Sequence, residues 1–128
     1  MSIEKLQDLF YHDLRDTLDA ERQLTKALPK LAKATESEEL RAAFEEHLAV
    51  TEEQITRLET IFESLDKAAR GKHCPGMEGL LQEGSELIKE EDPSPTRDAA
   101  LIGAAQKAEH YEIAAYGTLA TYARILGM

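Results

Sequence analysis

The chain has no tryptophan, and only 5% of its 128 residues are aromatic. Sheets draw heavily on aromatic and β-branched residues, so this composition speaks against a sheet-based fold. There is one cysteine, Cys74, which excludes an intramolecular disulfide and points to a reducing compartment. No apolar run approaches the ~20 residues that a bilayer span needs, and the opening MSIEKLQDLF lacks the apolar stretch of a signal peptide. Positive charge is also scarce, with 15 Lys and Arg against 25 Asp and Glu and a net charge of -10. Nucleic acid and anionic membrane are poor partners for such a surface, because both require a basic face. A cytoplasmic protein with neither partner is expected.

What the chain does contain is Ala, Leu, Glu and Lys throughout, with 42% hydrophobic residues, enough for one continuous core. An all-α fold in a single domain over residues 1–128 follows. Periodicity and breakers define four helices. The first is predicted over Ile3 to Ala34, carrying Leu6, Phe10, Leu14, Leu18, Leu24, Leu28 and Leu31 inward, with a kink at Pro29. Ser37 reads as the N-cap of the second, with Glu38 and Glu39 in its first turn and a stripe from Leu40 to Leu65. The segment DKAARGKHCPG, Asp66 to Gly76, lacks a hydrophobic period and reads as a longer connection. A third helix is predicted from Met77 to Glu91, ending before Pro93 and Pro95. Thr96 is the expected cap of a fourth that lasts until Gly127, with Leu101, Ile102, Ala105, Ile113, Tyr116, Ala120 and Ala123 inward. Two hairpins with a longer link between them suit a ferritin-like four-helix bundle in which one connection crosses the bundle.

Several polar residues fall on the predicted core faces at 100° per residue. In the segment EHYEIAAYGTL, Glu109 sits at the centre of the fourth stripe and Glu112 on the same face, while Tyr111 points roughly opposite. His47, Thr51 and Gln54 lie within the second stripe, and Glu21 with Thr17 within the first. Glu83 lies at the edge of the third, beside Gly84, where a neighbouring helix could approach closely. Buried carboxylates need a cation, a proton or a hydrogen-bond network. Carboxylates and imidazole converging from facing helices are what Fe or Mn ions require, and the chemistry open to such ions is oxidation by dioxygen or peroxide. The other reading is a non-enzymatic helical scaffold in which Glu21, His47, Gln54, Glu109 and Glu112 form a metal-free network. His73 and Cys74 read as loop, since two ligands do not close a tetrahedral metal site. Nucleophile triads, phosphate-binding glycine loops and HExxH are absent from the sequence.

The segments LRDTLDAERQL, HLAVTEEQITRLETIF and DAALIGAAQKAEHYEIAAYGTL resemble the YciF-like family of bacterial stress proteins, a ferritin-like group related in fold to rubrerythrin. The resemblance spans nearly the whole chain. It implies a four-helix core with a short additional helical element, a homodimer, a cytoplasmic setting and a role in stress, without a settled activity or substrate. The ferritin-like ligand pattern is one Glu from each of the first and third helices and Glu-x-x-His from each of the second and fourth. Carried onto this chain, it implies Glu21 for the first place, Glu83 for the third, and Glu109 with Glu112 for the fourth. The second helix departs, with Thr51 and Gln54 at the ligand level and His47 a turn away. That departure leaves a single metal, an altered pair or no metal as the alternatives.

Overall fold

A computed structural model describes residues 4–128, in which four helices and no strands occur among the described residues. Helix α1 spans Leu6–Ala34, α2 Glu38–Ser64, α3 Pro75–Glu90 and α4 Pro95–Ile125. The expected start of the first helix at Ile3 lies outside the described residues. Helix α1 continues through Pro29 without a break. Pro29 is exposed, so its ring projects into solvent.

Capping decides where the other helices begin. The Ser37 side chain accepts from the Leu40 amide, which satisfies one of the orphan donors at the start of α2, as expected. The third and fourth helices start earlier than predicted. Pro75 and Pro95 open them rather than stopping the preceding segment, because proline's fixed φ suits the first helical position and its missing N–H is not needed there. The caps are therefore Cys74 and Ser94, and Ser94 takes the role expected of Thr96 by accepting from the Arg97 amide.

Helix α1 packs against all three others, and α3 packs against α4. The short link after Ala34 makes α2 antiparallel to α1. Arg97, near the start of α4, bonds the Ala34 carbonyl at the end of α1, while Leu119, near the end of α4, clusters with Phe10 and Leu14 near the start of α1. Helix α4 is thus antiparallel to α1 and parallel to α2. The segment 65–94 must carry the chain back along the bundle, and α3 rides within this crossover.

The core has two apolar parts. One centres on Leu24, Leu28, Leu31, Phe44, Met77 and Leu101, the other on Phe10, Leu14, Leu18, Leu58, Phe62 and Leu119. Fully burying side chains such as Leu14, Leu58 or Phe62 contributes about 1.5–3 kcal/mol each. The fourth helix is rotated from its predicted setting. Leu101, Ala105, Ala108, Glu112 and Leu119 face inward, whereas Ile102 and Ile113 are 45% and 66% exposed. This helix is apolar on several sides, so its own pattern does not select a face, and contact with α1 does.

The turn between α1 and α2 is fastened from α4. The buried Asp98 carboxylate accepts from the Glu36 amide at 3.2 Å and the Ser37 amide at 2.9 Å. It also stands in the first turn of its own helix, where the dipole favours negative charge. Among the described residues no helix is long and apolar enough to cross a membrane.

Replacing Asp98 with Ala leaves two backbone donors unmet, and urea denaturation is expected to show a loss of about 2–3 kcal/mol. Ser94→Ala removes one cap and is expected to cost about 1 kcal/mol. Equal losses for the two would remove Asp98 from its role as the fastener.

Candidate functional site

Between the two apolar parts of the core lies a layer of polar side chains. Thr17 and Glu21 come from α1, His47, Thr51 and Gln54 from α2, and Glu112 and Tyr116 from α4. Glu21 and Thr51 are 0% exposed. Thr51 is satisfied within its own helix, its hydroxyl donating to the His47 carbonyl at 2.8 Å. The other groups must find partners across the bundle.

His47 Nε2 lies 2.9 Å from Glu112 Oε1, and His47 Nδ1 lies 3.5 Å from Glu109 Oε1. The imidazole therefore sits between two carboxylates of α4. The hydrogen bond and charge of Glu112 raise the His47 pKa above 6.5, against the opposing effect of burial. On the other side, the Tyr116 hydroxyl donates to Glu21 Oε2 at 3.1 Å. Burial, followed by the hydrogen bond and charge of neighbouring Glu112, pushes Glu21 up to about 9, although Tyr116 pulls it back. Glu21 is consequently protonated at neutral pH. The Tyr116 phenol is itself raised by burial and by the Glu21 charge, which keeps it a donor.

Three buried atoms of the layer have no hydrogen-bond partner: Glu21 Oε1, His47 Nδ1 and Gln54 Oε1. A proton on Glu21 Oε1 would answer the first. The layer opens between α2 and α4 into a cavity of about 350 Å³, lined by His47, Gln54, Glu109, Glu112 and Tyr116 and bordered by Val50 and Ile113.

Four of the predicted ligands, Glu21, His47, Glu109 and Glu112, come together here. Their order differs from expectation. The rotation of α4 puts Glu112 in the buried centre and leaves the Glu109 side chain 43% exposed at the mouth. Glu83 does not join them. It pairs with Lys107 at 3.1 Å on the surface, because α3 belongs to the crossover and not to the wall of the layer. Among the described residues no group of three or more His, Cys, Asp and Glu side chains is already spaced to hold a metal.

A second polar group was missed. Cys74, read as loop, is fully buried at the start of α3, and its Sγ lies 3.0 Å from the Tyr111 hydroxyl. That hydroxyl donates to Asp16 Oδ2 at 3.0 Å. Burial raises the Cys74 thiol, so it behaves as a packed, protonated group and not as a nucleophile. A Cβ at Gly76 would come within 2.7 Å of the Tyr111 ring, so glycine is required there. The sequence showed Gly76 only as a helix breaker. At Gly84, where close approach was expected, a Cβ would meet Leu31 and Ala104 at an ordinary 3.6 Å. His73 stays in the connection, 3.0 Å from Glu78.

The family described as "Domain of unknown function (DUF892)" matches residues 5–128. Protein YciF of Escherichia coli (strain K12) is 52% identical over 129 residues, spanning 99% of this chain and 77% of the relative. The crystal structure of the E. coli stress protein YciF superposes with a TM-score of 0.93 at 50% identity, covering 98% of this chain and 79% of the other. YcfI from Rhodopseudomonas palustris, described as a candidate structural protein, gives a TM-score of 0.95 at 41% identity, covering 98% and 80%.

Glu21 and His47 both bind protons more tightly folded than unfolded. The native state therefore holds extra protons between pH 4.5 and about 9, and their contribution to stability is lost as pH rises through that window. Glu21→Gln imitates the neutral carboxyl and is expected to stabilise the fold by about 1–3 kcal/mol at pH 7 while flattening the pH profile. Thermal unfolding between pH 5 and 9 checks this, and an unchanged slope in the variant would place the protons elsewhere.

Proposed function

The chain belongs to the DUF892 family, with the E. coli stress protein YciF among its relatives, and from that premise we propose a stress-associated cytoplasmic protein whose buried carboxylate–imidazole layer takes up one Fe(II) or Mn(II) ion. The observation that carries this reading is the meeting of Glu21, His47 and Glu112 from three helices, with Glu21 Oε1 and His47 Nδ1 left without hydrogen-bond partners among the described residues. Two carboxylates and an imidazole suit both metals. Glu109 at the mouth is a fourth donor.

The pocket as it stands holds a proton where the metal would supply positive charge. Uptake requires that Glu21 lose its proton and that His47 release Glu112, so the metal competes with protons for the same atoms. Tyr116 holds Glu21 Oε2 in place during this exchange. The apolar core flanks the layer on either side, and the opening between α2 and α4 admits a small reactant to Glu109 and Glu112. Bound iron or manganese would supply reactivity toward dioxygen or peroxide. Exposed Val50 and Ile113 stand beside the mouth, and their apolar surface supports a homodimer packed along its rim that leaves the opening clear.

The direct His47–Glu112 bond favours a second reading, a metal-free scaffold held by this network. Elemental analysis after anaerobic loading with Fe(II) or Mn(II) separates the two. About one equivalent is expected, with more metal bound at pH 8 than at pH 6 and protons released on binding. Glu112→Gln is expected to abolish uptake while circular dichroism shows the helices intact. Metal below about a tenth of an equivalent at either pH would leave the scaffold standing.

A further inference from the structure

On the other side of α1, away from the polar layer, the second half of α1, the second half of α3 and the start of α4 border a half-open cavity of about 470 Å³. This falls in the range typical of small-molecule sites. Its walls are apolar, chiefly Leu31 of α1 and Leu81 and Ile88 of α3. Around them stand Lys30, Lys33, Lys89 and Arg97, with no Asp or Glu among the lining residues. In a chain of net charge -10 this is a local reversal of sign. None of these four cations takes part in an ion pair among the described residues.

Arg97 supplies the second observation. It is 6% exposed, and its guanidinium is bonded only to backbone carbonyls: Nη1 to Ile88 at 3.4 Å and Glu91 at 3.0 Å, Nη2 to Ala34. These contacts tie together the ends of α1 and α3, and the negative ends of their dipoles partly offset the charge. Its Nε–H, however, is buried with no partner. A buried guanidinium normally meets a carboxylate or phosphate. Arg97 instead lines a cavity while its charge meets no carboxylate among the described residues.

We infer that this cavity is a binding site for a single-chain aliphatic carboxylate, with its chain against Leu31, Leu81 and Ile88 and its carboxylate among Arg97 and the three lysines. The cavity has room for an aliphatic body of about eight to ten carbons. The site shares no residue with the carboxylate–imidazole layer, so it stands whether or not that layer takes metal.

The test is isothermal titration calorimetry of the full chain with decanoate, decanol and acetate, together with amide chemical-shift mapping. Decanoate is expected to bind and to shift resonances of residues 27–34, 81–89 and 97. Decanol, lacking the charge, and acetate, lacking the chain, are each expected to bind at least about tenfold more weakly. The combined Lys30→Glu, Lys33→Glu and Lys89→Glu variant changes exposed side chains and keeps the Arg97 contacts, so folding is retained. It is expected to weaken decanoate at least about tenfold and to reverse the salt dependence, so that added salt no longer weakens binding. The proposal is overturned by no decanoate binding, by decanol binding as tightly as decanoate, by unchanged affinity in the variant, or by shifts confined to other helices.

Discussion

Two carboxyl groups, Glu21 and Glu112, stand together inside a helical core, where burial and the neighbouring Glu112 hold Glu21 in its protonated form at neutral pH. Everything near the middle of the molecule is arranged around that constraint. Tyr116 donates to Glu21, His47 meets Glu112, and the second nitrogen of His47 is directed to Glu109 at the surface. The line of groups leads from the deepest carboxyl to the cavity mouth. A site of this kind gives up stability in exchange for reactivity or recognition, since the same positions filled by leucines would join the two apolar parts into one core.

The framework that holds the layer is fastened by polar groups at the helix ends. Asp98 gathers the amides that begin α2, and its neighbour Arg97 gathers the carbonyls that end α1 and α3. One turn of α4 thus anchors three other helix ends with charges of the sign that each end favours. Because α4 is pinned there, its rotation is decided, and with it which of Glu109 and Glu112 reaches the interior. The sequence neighbours Arg97 and Asp98 serve opposite needs, and of the two it is Arg97 whose Nε–H is left without a hydrogen-bond partner among the described residues.

The parts of this structure that could be read from the chain were those with local causes. Ser37 before two glutamates, the leucine period of α1 and the breaker-rich segment from Asp66 onward each act within a few residues, and each appears where expected. The inward placement of Glu21, His47 and Thr51 was legible for the same reason, since α1 and α2 have a clear apolar side against which a polar residue stands out. Glu83 was misplaced because its helix edge offered no such contrast. Cys74 and Tyr111 were missed because 37 residues separate them in the chain and no periodic signal connects them.

By itself, then, the amino-acid order determined the all-helical class, the number of helices, the short link that pairs the first two, and the presence of acids that need compensation. These depend on propensity, capping and periodicity, which act over a turn or two. Tertiary structure alone decided which side of α4 faces inward, that α3 travels in the crossover, and that Glu112 and not Glu109 is the buried neighbour of Glu21. Those outcomes depend on the packing of α4 against α1, which includes hydrogen bonds between residues 95 positions apart that no local pattern encodes.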